Sequence, residues 1–250
     1  MKSSIKIFLI ILLQVFFASK ILSDEIEFKA SDIQISNEQN LTVANNGTAV
    51  IKDDGIIVEG NKIKYFRDKA LLIINKGKIS SIDQNFEIDS NSIKYQIDKS
   101  EIDFSEDVKI YDKINDLFIN TDEIKYDVKN QIISSESHSQ IKDKLNNIYK
   151  VKEFNYSIKE KVIKLSELKV LDANGNTFIV DIAFLDLIKN ELIAKDIGIN
   201  FKISKNSENE PRLKGRGLIN NKKETVVNKG TFTFCKKRDK CPPWEMGAEE

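Results

Sequence analysis

The residues of this chain that could do chemistry are few in kind. It has two cysteines, Cys235 and Cys241, one histidine, His138, and equal numbers of acidic and basic side chains. Five residues separate the cysteines, a gap that permits a local disulfide without demanding one. In an oxidising compartment thiols are normally paired. A structural zinc needs about four ligands, and His138 is far from both cysteines in sequence, so no metal site is expected. Ser137-His138-Ser139 reads as part of a polar surface strand. The sequence has no nucleophile elbow, phosphate loop or paired-histidine metal motif. Carboxylates alternate with lysines, the pattern of a solvated face that discourages edge-to-edge pairing. No pair among them stands out as the acid and base of a glycoside hydrolase. The expectation is a protein that is not an enzyme and needs no cofactor.

The elements that position these residues come from a repeat. Anchors at Ile33, Ile63, Ile93, Ile124, Phe154 and Ala183 follow one another at spacings of 30, 30, 31, 30 and 29 residues. An apolar residue stands five before each anchor (Val58, Ile88 and Ile119 among them), and a usually small one stands three before, as at Gly60, Ser90 and Thr121. A polar residue stands two before, as at Asn61 and Asn91, and a large one two after: Ile35, Tyr65, Tyr95, Tyr126, Tyr156 and Leu185. A fixed period of this length means one supersecondary unit stacked many times.

Within a unit the apolar positions alternate, which is strand spacing. Their parity changes between Ser90 and Ile93, so the chain must bend or bulge at Asn91 to keep both sets on one face. Gln96 to Ser100 reads as a polar turn into the next strand. No stretch after Asp24 keeps a helical period, and Lys142 to Tyr149 fits the repeat better as strand than as helix. One face of the stack should be apolar and the other covered in Lys, Asp, Glu and Asn. An elongated β-jellyroll and a parallel β-helix both fit, and thirty residues with an internal corner favour the jellyroll. The expected fold is all-β, an elongated open β-jellyroll of about six 30-residue repeats.

Residues 1–23 read as a secretory signal: Lys2 and Lys6, then an apolar core from Ile7 to Ala18 that is short for a membrane span. An uncleaved membrane anchor is the alternative, and either way the remainder lies outside the cytoplasm. Without the leader the chain carries 36 basic and 39 acidic residues, a net of −3, which is no footprint for nucleic acid. Residues 24–203 hold the repeats. Residues 204–250 should hold a polar loop, a degenerate unit and the Cys-x5-Cys-Pro-Pro-Trp tail.

That tail carries a resemblance. Gly230, Phe232, Thr233, Cys235, Trp244, Ala248 and Glu249 stand where the LPS-assembly protein family LptD (OstA, organic solvent tolerance) has a G-x-F-T-x-C strand, a Trp and an A-E strand. The repeats resemble the OstA-like module shared by LptA, LptC and LptD, with Gly47-Thr48-Ala49-Val50 and the Gly60-Asn61 corner as examples. The resemblance implies a jellyroll with an apolar interior. It also implies transport of lipopolysaccharide from a periplasmic bridge towards an outer-membrane barrel. Partners would be lipopolysaccharide, an LptA-like bridge protein joined by edge-strand pairing and, if the barrel exists, an LptE-like lipoprotein. The location would be periplasmic, attached to the outer membrane through a barrel. Cys235 occupies the place of a family cysteine that bonds to that barrel, but Cys241 offers a local partner. A barrel needs at least eight strands of about ten residues, so none is expected to fit beyond the tail of this chain as given.

The inward positions expected to line a lipid groove are Val58, Ile63, Tyr65, Ile88, Ile93, Tyr95, Ile119, Ile124, Tyr126, Phe154 and Tyr156. Each exposed CH2 of an acyl chain costs about 0.8 kcal/mol in water, so a dry groove suffices for carriage. The rival readings are a free bridge or anchor protein of the LptA or LptC type, and a β-solenoid scaffold or adhesin with a closed core.

Overall fold

The computed structural model describes residues 26–171, 175–202, 210–221, 223–235 and 246–248. The leader, Cys241 and Trp244 lie outside the described residues. Alternating apolar residues produce long strands: β1 (Ile26–Ser36), β2 (Leu41–Ile51), β3 (Ile56–Phe66), β4 (Leu71–Ser81), β5 (Phe86–Gln96), β6 (Glu101–Asp112) and β7 (Leu117–Asp127). Each pairs antiparallel with the next. One repeat is therefore a hairpin of two strands. β8 (Ile132–Ser135) and β9 (Ser139–Lys142) are two pieces of one broken strand, both lying against β7. Likewise β10 (Ile148–Val151) and β11 (Glu153–Ser157) both lie against β12 (Val162–Leu171). The meander runs on through β13 (Thr177–Asp186), β14 (Glu191–Asn200) and β15 (Glu210–Asn220). β16 (Thr225–Asn228) and β17 (Gly230–Cys235) share β15 as partner, and β18 (Met246–Ala248) adds to β17.

Halfway along the strands the register skips. Gly60 pairs with Gly77 and Lys62 with Asn75, leaving Asn61 and Lys76 unmatched. The bend expected at Asn91 lies on the same line, between Asp89 and Ser92. Asn46, Lys76, Glu106, Asp107, Glu167 and Asp196 supply left-handed backbone along it. This bulge re-aims the side chains, so both halves of each strand keep their apolar residues on one side. The sheet is thereby folded along a crease into two leaves that enclose one hydrophobic cluster. Little room is left inside the crease. A Cβ on Gly77 would lie 2.6 Å from the Glu59 carbonyl oxygen and 2.5 Å from Ile74 Cγ2. Farther along, hydroxyls take the glycines' place: Ser139 Oγ donates to Thr121 Oγ1 at 2.9 Å.

The turns that close the second halves repeat as faithfully. Asn40, Ala70, Ser100, Gln131, Lys161 and Asn190 all have positive φ. The carbonyl of each turn accepts from the next turn's backbone, Arg67 N–H to Asn40 at 2.8 Å and Ile97 N–H to Ala70 at 2.9 Å. The expected polar turn at 96–100 is a 3-10 turn, Ile97–Lys99.

Two expectations change. Lys142 to Tyr149 is not strand throughout: Asp143 to Asn147 form a loop between β9 and β10, where the Asp143 carboxylate accepts from the Leu145 and Asn147 backbone N–H groups. The outer face is not polar everywhere. From β13 onward its paired positions Phe184, Ile193, Ile219 and Val226 are apolar and exposed.

Candidate functional site

The bulged strands place the eleven inward residues as the repeat requires. Val58, Ile88 and Ile119 belong to the first leaf, made by the opening halves of β3, β5 and β7. Ile63, Ile93, Ile124 and Phe154 and the tyrosines two residues after them belong to the second leaf. Nine of the eleven are buried, while Tyr65 and Tyr126 are half-buried against the core. Strands of the opposite direction intercalate between them. Ile74 pairs with both Ile63 and Ile93, and Phe104 with both Ile93 and Ile124. The pattern around the anchors does not point to these partners, although Leu72 and Ile102 recur nine residues after the anchors. The interior is thus filled by its own side chains, and anything entering must part the leaves.

The leaves meet again at a seam opposite the crease. Four tyrosines stand along it at the repeat spacing, and they are held in two alternating ways. Tyr65 packs its ring on Phe28, centroids 6.2 Å apart. The next, Tyr95, donates its hydroxyl to the Asp54 carboxylate, which Ser100 Oγ also reaches at 2.9 Å. Tyr126 again meets a ring, Phe86, at 6.1 Å. Tyr156 donates to Asp112, whose carboxylate also accepts from Asn115 Nδ2 at 2.7 Å. Each polar contact is a hydrogen bond from a buried phenol to a carboxyl group. Asp112 is buried with its partners satisfied, which avoids the cost of a bare buried charge. Burial, then the hydrogen bond from Tyr156 to Asp112, pushes the Tyr156 hydroxyl well above its usual pKa. Burial, with the charges of Asp127 and Asp54 behind it, pushes Tyr126 up to about 12. Sequence pattern put the tyrosines on the inward face but not the carboxylates, because each bond joins residues 41 or 44 apart, about one and a half repeats.

Between the two polar clasps lies a cleft of about 470 Å³, whose walls include Ile56, Ile79, Phe86, Tyr126, Val128 and Ile158. An open surface groove follows the crease and is lined by Asn46, Asn61, Lys76, Asp89 and Lys109 among others. Partial desolvation by the groove walls raises the Asp89 carboxyl above its usual pKa, although the residue remains exposed.

At the first described strand the interior is left open among the described residues. β1 is paired by β2 alone among the described strands, and Ile33 and Ile35 are 41% and 63% exposed. Near the other end, Cys235 closes β17. His138 is exposed in the bend between β8 and β9, not in a strand. Among the described residues no group of three His, Cys, Asp or Glu side chains could hold a metal ion.

A family model described as "Lipopolysaccharide-assembly, LptC-related" matches residues 7–169. Among solved structures, the chain is similar to LptH of Pseudomonas aeruginosa, the LptA-homologous periplasmic component of that organism's lipopolysaccharide transport device. The likeness is at 13% identity with a TM-score of 0.39, covering 44% of this chain and 80% of that one. No curated protein matches.

Proposed function

The chain belongs to the LptC-related lipopolysaccharide-assembly family, and from that premise we propose that it is a non-enzymatic periplasmic carrier of the LptA or LptC bridge type. It holds lipid A acyl chains between its two leaves and passes them along the stack. The observation that carries the reading is the single apolar cluster that runs through successive repeats. Sliding an acyl chain along such a surface exchanges one apolar neighbour for another, so each step costs little. The carrier supplies a dry path and no bond chemistry.

The edge of β1 favours edge-strand pairing with a like protein. A partner strand laid on it would cover Ile33 and Ile35 and extend the interior. A second reading keeps the barrel: β17 ends at Cys235 and pairs with β18, which contains Ala248, in the strand order of the LptD tail. In that reading the protein hands lipid to an outer-membrane barrel with an LptE-like lipoprotein, and Cys235 bonds to it. A local Cys235–Cys241 disulfide, found by non-reducing peptide mapping, argues against that reading.

The test uses a photo-crosslinking residue at Ile93 or Ile124 and, as controls, at Lys94 or Lys125. Exposure to lipopolysaccharide should give adducts at the two inward positions and none at the two outward ones. Equal labelling of both faces sinks the proposal.

A further inference from the structure

The seam alternates between two kinds of contact, and the alternation has a structural cause. Asp54, Asp83 and Asp112 stand 29 residues apart, one in each successive first-leaf turn or at the end of the strand before it. Asp54 and Asp112 reach across to Tyr95 and Tyr156. Asp83 does not cross. Its carboxylate accepts from Ser81 Oγ, from the Asn85 backbone N–H at 3.2 Å and from Asn85 Nδ2 at 2.9 Å. Those bonds also hold it below the usual carboxylate pKa, the Ser81 contribution being largest. Tyr126, which would be its partner, therefore has no hydrogen-bond partner among the described residues and is left with the ring of Phe86. The one weakly held place in the middle of the seam is the place where the cleft opens.

Apolar side chains run through that cleft from rim to floor. Ile82 and Ile114 at its rim are exposed, and Ile56 and Ile79 at its floor belong to the buried core. Its 470 Å³ is within the range of small-molecule sites. The clasp carboxylates Asp54 and Asp112 are part of its lining, Asp83 there is already bonded to Ser81 and Asn85, and Ser80, Asn115, Gln131 and Lys161 are its other polar residues. Such a site suits one flexible hydrocarbon chain whose polar head stays in water.

We infer that the cleft between the Asp54–Tyr95 and Asp112–Tyr156 clasps is a lateral port through which a single acyl chain enters the interior, with the Phe86–Tyr126 ring contact as its gate. The inference rests on the carrier reading, since a closed scaffold has no use for an entry. An acyl chain displaces the Phe86 ring from Tyr126 and replaces one apolar contact with another, so no hydrogen bond is broken at the gate. The clasps on either side keep the leaves from separating further, which limits entry to one chain at a time.

The test uses the full chain and dodecanoic acid carrying a terminal diazirine, with lipopolysaccharide binding measured in parallel. The variant Ile82→Glu/Ile114→Glu alters only exposed rim positions, and its melting temperature checks that the fold is kept. Tyr156→Phe removes one clasp hydroxyl. The port is supported if adducts map to Phe86, Tyr126 or Ile158, if the rim variant weakens probe binding at least tenfold, and if Tyr156→Phe speeds uptake several-fold. Adducts only near Ile33 and Ile35, with affinity unchanged in the rim variant, overturn the port and leave the carrier reading standing. Failure of the unaltered protein to bind either the probe or lipopolysaccharide overturns both.

Discussion

Ile33 and Ile35 of β1 hold the same places in their repeat as Ile93 and Tyr95 of β5, yet their surroundings differ completely. The first pair is largely open to solvent and the second is fully buried. Neither side-chain type nor local backbone explains this, since both pairs lie on the inward face after the same crease. The difference is in neighbours. β5 is flanked by β4 and β6 and faced by the opposite leaf, whereas among the described strands β1 has β2 alone. In a stack of repeats, stability is roughly a sum of unit and interface contributions, and an end unit has one interface fewer. The end is thus less stable and its apolar residues are accessible, while those of the middle are covered by strands on both sides.

The comparison is broken most directly by truncation. Ile93→Ala should destabilise by roughly 2–5 kcal/mol, from lost burial plus a cavity. Ile33→Ala should cost less than about 1 kcal/mol, as exposed substitutions do. Urea denaturation measures both, and equal losses would mean that the end strand is covered in solution.

A second contrast is in pH. Tyr126 has its folded pKa raised to about 12 from the ordinary 10.0. The folded state therefore holds the phenolic proton more tightly, and the associated stability is fully present below pH 10. It is lost as pH rises from about 10 towards about 12, and amounts to roughly 2–3 kcal/mol. Tyr126→Phe should flatten that part of the stability curve, and an unchanged curve would show that the central seam is no drier than the end.

The smallest effect should come from the polar contacts. Asp112→Ala leaves the Tyr156 hydroxyl buried without its acceptor, at a cost of about 1–3 kcal/mol. Asp32→Ala on β1 removes exposed bonds from Gln34 and Asn45 and should change stability by under about 0.5 kcal/mol. Thermal melts of the two variants separate these outcomes.

Much of this was legible in the residues. The period, the parity change at Asn91 and the inward tyrosines all follow from local rules: alternation, bulges and the need to keep one face dry. The even strands were partly visible, since Leu72 and Ile102 recur, but their places between the anchors depend on which strands become neighbours. The exposed outer row of Phe184, Ile193, Ile219 and Val226 defied the expected polar face because it comes from four strands and leaves no pattern within any one of them.

By itself, then, the sequence determined that this chain is a stack of creased hairpins with an apolar inside, because strand periodicity is written residue by residue. Only the tertiary structure decided how the inside is closed. The seam joins Asp54 to Tyr95 and Asp112 to Tyr156 across one and a half repeats, while Asp83, spaced identically, bonds within its own turn. A carboxylate's choice between a near and a far partner depends on where its turn sits relative to the other leaf. That distance is set by folding the whole sheet, not by any local run of residues.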